Sequence, residues 1–178
     1  MKKIGIIIGI ILLINSYSFA QKFGYVDSDY ILSKMPEYAQ AQSEIDKLSQ
    51  QWETEIKDMY KQVEAMEAKL KAEEVLLTIE MRDDRDSDIE LKWTEVKDYQ
   101  KKVFGFDGLF FLKKKELIKP IQDKVFEAVE KVAKSNRLQI VFDKSGELVM
   151  IYTDPIHDYT DFVLEEFGLG DKNDTVSN

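Results

Sequence analysis

From Ala41 onward the chain repeats apolar side chains at Ala41, Ile45, Leu48, Trp52, Ile56, Met59, Val63, Met66 and Leu70, in steps of 4, 3, 4, 4, 3, 4, 3 and 4. These are heptads broken by one stretch of eleven residues, a spacing that keeps one narrow stripe of a helix turned toward a partner helix. Charged and polar residues fill most other positions, and neither Gly nor Pro occurs between Glu37 and Tyr99. Pro36, with Glu37 behind it, marks the helix start. A returning run shows Ile89, Trp93, Val96, Tyr99 and Val103, then Leu117, Ile121, Val125, Ala128 and Val132. Two long amphipathic runs with charged flanks predict an antiparallel coiled-coil hairpin over 36–135. Limbs of about 45 residues would reach on the order of 70 Å at 1.5 Å per residue. The stripe loses phase at Val75-Leu76-Leu77-Thr78-Ile79, and Asp and Ser cluster after Glu80, so the hairpin tip is expected within 75–88.

The flanks read differently. Phe23, Tyr25 and Val26 suggest a short strand. Near the other end, RLQIVF (137–142), the turn Asp143-Lys144-Ser145-Gly146 and ELVMIY (147–152) read as a β-hairpin, its apolar runs suggesting strands covered on both faces. Asp154-Pro155 breaks the strand, and Asp158 or Thr160 is positioned to cap a last helix, 161–167, stopped by Gly168. The fold class is therefore α+β, mostly α: a helical arm inserted into a small β body made of 21–35 and 136–170, with a disordered tail at 171–178. So few strands enclose too little core to stand alone, which implies oligomerisation through the strands and helix bases.

Composition adds the compartment. Lys2 and Lys3, an apolar run from Ile4 to Ile14, then Ser18 and Ala20 fit an export signal over 1–20 cleaved after Ala20. A retained anchor is the alternative, although the run is shorter than the roughly 20 apolar residues of a membrane span. The absence of Cys excludes a lipid-modified N-terminus, disulfides and thiolate metal sites. Without residues 1–20 the charge is −11, from 23 Lys and Arg against 34 Asp and Glu. That balance argues against nucleic acid and against strong binding to anionic membranes.

No residue pattern supports catalysis. His157 is the only histidine, and it has no Cys or second His to converge with. Asp83, Asp84, Asp86 and Asp88 lack the Gly and terminal Glu of a calcium loop, and Arg82 and Arg85 interleave with them. No metal or other cofactor is expected. Candidate binding residues are apolar instead: Leu76, Leu77, Ile79 and Met81 at the tip, and Phe104, Phe106, Phe110 and Phe111 around Gly105 and Gly108. Each Gly costs a helix interior roughly 1 kcal/mol relative to Ala. The pair is either a local bulge whose Phe side chains pack on the facing helix, or a joint that lets the arm bend. Segment 101–119 carries net +4 and segment 71–100 net −5, which makes the arm bipolar along the chain.

The opening FGYVDSDYILSKMPEY, the tip-proximal LLTIEMRDDRDSDIE, the segment VFGFDGLFFLKKKELIKPIQDKVFEAVEKVAK and the close IVFDKSGELVMIYTDPIHDYTDFVLEEF resemble the periplasmic Skp/OmpH chaperone family. The resemblance covers essentially all of the chain after residue 20. It implies a jellyfish-like homotrimer with three helical arms around a cavity. It also implies ATP-independent holding of unfolded outer-membrane proteins in the periplasm, which would be the partners. The best-known members are strongly basic, so lipopolysaccharide binding is not carried over to an acidic chain. A structural or adaptor coiled coil of the cell envelope is the competing reading.

Overall fold

The computed structural model describes residues 21–146 and 149–170. The expected signal segment 1–20 and tail 171–178 lie outside them, as do Glu147 and Leu148. The elements run β1 (Phe23–Val26), α1 (Ser28–Lys34), α2 (Pro36–Glu73), a 3-10 turn (Glu74–Leu76), α3 (Ile79–Phe104), α4 (Leu109–Asn136), β2 (Ile140–Asp143), a second 3-10 turn (Pro155–His157) and α5 (Thr160–Glu166). The chain divides into two compact units, Leu32–Lys124 and the remainder on either side of it.

In the unit made of the segments on either side of Leu32–Lys124, β1 and β2 pair in parallel, Phe23 opposite Ile140 and Val26 opposite Asp143. Parallel neighbours need a crossover, and here residues 27–139 form it. The expected β-hairpin is therefore corrected. Asp143–Gly146 does turn, but residues 149–152 are not strand. β1 takes the place of the hairpin's second strand. Its other side is occupied by the Tyr159 N–H donating to the Tyr25 carbonyl at 2.9 Å. The outer edge of β2 has no partner among the described residues. Nor are the strands covered on both faces: Ile140 and Phe142 are exposed, and Ile151, at 97 %, is bare.

Polar side chains close this unit. The Asp143 carboxylate accepts from Ser28 Oγ at 2.6 Å and Ser145 Oγ at 2.7 Å, and from the backbone N–H groups of both. Burial pushes its pKa up, but these four donors outweigh burial and hold it below the ordinary value. Helix α1 was not anticipated; Asp27 caps it by accepting from the Tyr30 N–H at 2.9 Å. Neither residue expected to cap the last helix is its cap: the helix starts at Thr160, and Tyr159 holds the cap position without a side-chain bond. Asp158 accepts from the Thr160 N–H, while Thr160 Oγ1 accepts from the Asp27 N–H, 133 positions away. Helix α5 ends with Gly168 and Leu169 donating back to Glu165 and Leu164.

The other unit is the arm. Pro36 is the first residue of α2, and Met35 before it is extended, as a residue preceding proline prefers. The 38 residues of α2 give about 57 Å of helix. All nine stripe residues of α2 are buried or half-buried, while most positions between them are exposed. Val63, Ile89 and Val96 form a core cluster with Met59, Tyr60, Met66, Leu70 and Trp93 packed around it. Three side-chain hydrogen bonds tie α2 to α3 beside that core: Tyr99 to Glu55, Trp93 to Glu67 and Tyr60 to Gln100. In α4 the stripe starts one residue later than expected, because Ile118 is buried and Leu117 only half-buried.

Candidate functional site

The chain reverses in fewer residues than the expected 75–88. Helix α2 stops at Glu73, the 3-10 turn covers Glu74–Leu76, and Thr78 caps α3 by accepting from the Met81 N–H at 3.2 Å. Asp83, Asp84, Asp86 and Asp88 are helical residues of α3, not turn residues. Arg82 pairs with Glu74 at 3.3 Å and Arg85 with Glu73 at 3.2 Å, which fastens the first turn of α3 to the end of the outgoing helix.

Fastening the turn leaves its apolar side chains in water. Leu76 is 80 % exposed and Ile79 81 %, with Val75 at 91 %. Met81 is exposed and Leu77 half-buried. Val75, in the same apolar run, is not among the candidate binding residues that the sequence points to, yet it is the barest of that run. A short turn has no second layer to cover these groups, so they form an apolar knob.

The second cluster lies where the returning limb breaks. Helix α3 ends at Phe104 and α4 begins at Leu109, so the Gly pair is not a bulge within one continuous helix. Gly105 donates its N–H to Lys101 O at 2.8 Å, and Gly108 donates to Gly105 O at 2.9 Å. A Cβ on Gly105 would stand 2.2 Å from Lys101 O, and one on Gly108 would stand 2.5 Å from Val103 O. Both positions therefore need glycine for backbone to approach backbone. Asp107 between them has φ 53°, a left-handed conformation that Asp tolerates better than most residues.

The four Phe residues divide. The Phe104 ring meets Trp52 of α2 edge-on at 6.4 Å and lies 5.8 Å from Phe110. Phe110 is half-buried, while Phe104, the one of the two that meets a ring of the facing helix, keeps 38 % of its surface exposed. Phe106 is 99 % exposed and Phe111 is exposed beside Leu112. The structure therefore brings Phe104 and Phe110 together, and leaves Phe106 and Phe111 free to touch something else.

The bipolar charge pattern is weaker in space than along the chain. Lys113 pairs with Glu116 at 2.9 Å and also feels Glu44 of α2; the Glu116 hydrogen bond leads in raising its pKa. Residues 44–58 and 101–119 together hold eight bases against seven acids, so the joint is close to neutral. The tip has no such compensation.

In the unit holding the strands, an apolar groove of about 390 Å³ is lined by Phe23, Tyr25, Phe142, Met150, Tyr152 and His157, among others. The His157 ring stacks on Phe23 with centroids 4.6 Å apart. Among the described residues no group of His, Asp and Glu is arranged to hold a metal ion, and no helix is long and apolar enough to cross a membrane.

The model of the family described as outer membrane protein (OmpH-like) matches residues 22–167. An uncharacterised protein of Aquifex aeolicus (strain VF5) is 29 % identical over 154 residues, covering 86 % of this chain and 90 % of its own. A solved structure described as an OmpH-like outer membrane chaperone from Caulobacter crescentus CB15 superposes with a TM-score of 0.68 at 11 % identity, over 84 % of this chain and 85 % of that one. At that identity the likeness concerns the fold.

Proposed function

This chain belongs to the OmpH-like outer membrane protein family, and on that premise we propose that it is an ATP-independent holding chaperone of the periplasm, exported by a cleaved leader. Its clients are unfolded outer-membrane proteins. The observation that carries this reading is the clustering of bare apolar side chains at two places on a charged arm, Val75, Leu76 and Ile79 at the tip and Phe106 with Phe111 and Leu112 at the joint. Isolated exposed apolar residues are ordinary, but clusters on a thin helical element mark contact surfaces.

Each contact of this kind is weak, and none provides a deep pocket. Holding then depends on number: several arms around one client raise the effective concentration of every patch for every client segment. The chain is suited to assembly because the outer edge of β2 is unpaired among the described residues, and Ile140 of that strand, Ile151 and Tyr152 are exposed. An unpaired strand edge with apolar neighbours recruits another strand. We assign this surface to other copies of the chain, in a trimer whose arms enclose the client. Aggregation is suppressed by occupying the client's apolar segments, with no nucleotide and no covalent step.

The decisive experiment dilutes a denatured outer-membrane barrel protein into the purified chain and follows light scattering together with the mass of the complex. Suppressed scattering and a complex of one client with an oligomer are expected. Full aggregation at several-fold excess of the chain would remove the holding function and favour an adaptor or spacer, a role that the hydrogen-bonded limb between Glu55 and Gln100 would also suit.

A further inference from the structure

The two apolar patches of the arm differ in what surrounds them. At the joint, the acids and bases of 44–58 and 101–119 nearly balance in number, and Glu44 of α2 acts on Lys113 of the return limb. At the tip, residues 67–90 of both limbs hold nine acids against four bases. Two of those bases, Arg82 and Arg85, are spent on Glu74 and Glu73. Glu80, Asp83, Asp84, Asp86 and Asp88 are exposed and form no ion pair among the described residues. The bare side chains of Leu76 and Ile79 therefore project from a surface of uncompensated negative charge.

We propose that the tip selects apolar unfolded segments flanked by Lys or Arg, and passes over equally apolar segments with acidic flanks. The inference rests on the holding function and names the class of client segment that the tip takes. The apolar knob provides the contact, while the carboxylates decide which contacts form, since complementary charge steers encounter and like charge opposes it. The same charge argues against the other occupants. Anionic lipid head groups are repelled, and the tip of a second copy carries the same sign.

The test uses the full-length assembled chain with Ile79 replaced by a photo-reactive phenylalanine analogue, and a parallel protein carrying that analogue at Phe106. The probes are two soluble peptides with one apolar centre, flanked by Lys in one and by Glu in the other. At low salt the Lys-flanked peptide should label position 79 about fivefold more than the Glu-flanked one. The difference should vanish in 1 M salt, where charges are screened within about 3 Å, and should largely disappear in the D83K/D84K variant, whose tip then holds seven acids against six bases. The joint, being near neutral, should label with both. Equal labelling at position 79, or a preference unchanged by D83K/D84K, overturns the charge selection. If unfolded barrel protein is still protected from aggregation in that case, the holding function stands without it. If neither peptide labels either position and the barrel protein aggregates freely, both fall.

Discussion

The hydroxyl of Tyr99 donates to the carboxylate of Glu55 at 2.5 Å, joining the returning limb of the arm to the outgoing one. The Glu55 hydrogen bond is the largest cause that raises the Tyr99 pKa above 10.0, with burial and the carboxylate charge adding to it. A group whose folded pKa is raised contributes stability in full below its unfolded pKa, and that stability is lost as pH rises through the folded value. Tyr99→Phe should therefore cost about 0.5–1 kcal/mol at neutral pH. Above pH 10 the deficit should shrink, as the wild type loses the same bond. Urea unfolding of both proteins across that range checks it.

Val63 and Val96 are wholly buried and sit in the same cluster. Val96→Ala should destabilise the arm by about 2 kcal/mol through lost burial and a residual cavity. Leu76→Ser and Ile79→Ser, in contrast, should stay within about 0.5 kcal/mol of wild type because those side chains are already in water. If they lower protection of an unfolded client while the melting temperature holds, the tip is a binding surface and not a structural one.

Acid should loosen the unit that contains the strands. The Asp143 pKa is lowered in the folded state, so its contribution is present above the unfolded value near 3.8 and lost as pH falls through the folded one. Wild type should lose stability below about pH 4. Asp143→Asn should be less stable at neutral pH and should lack that part of the acid dependence. Denaturation midpoints from pH 7 down to pH 2 would show whether the two curves converge.

The break between α3 and α4 should register in amide exchange. The N–H groups of Phe106 and Asp107 have no backbone acceptor among the described residues, while the flanking amides are helical. Exchange at 106–107 should run well ahead of exchange at 96–103 and 112–118. Gly108→Ala should shift the fast region or lower stability, because the added methyl meets Val103 O. Protection as strong at the joint as in the helices would contradict an open break.

Much of the arm was legible because helical burial recurs at fixed spacing: each apolar residue named between Ala41 and Leu70 is turned inward. The phase could not be carried past Gly105–Gly108, since a break resets the helical rotation. Leu117 was named for this reason, where Ile118 is buried. The Asp-rich stretch after Ile79 resembles a turn in composition, but Thr78 caps the helix ahead of it and the acids become helix surface. Strand direction left no local mark: residues 140–143 read equally well as half of a hairpin, and their actual partner is β1, from the far end of the chain. At the candidate binding surface, apolar character was legible residue by residue. Which Phe meets another ring and which stands apart was not, because Trp52, the ring that Phe104 meets edge-on, lies half the arm away in sequence.

The parallel pairing of Phe23–Val26 with Ile140–Asp143 sets an order of events in folding. The limbs of the arm gain most of their contacts from residues nearby in sequence and can assemble early, whereas β1 waits for a partner that closes a loop of more than a hundred residues. Long-range closure of this kind slows folding. Until the last third of the polypeptide is present, β1 is an unpaired apolar segment, and the newly made chain is for that interval of the same kind as the unfolded clients proposed for it.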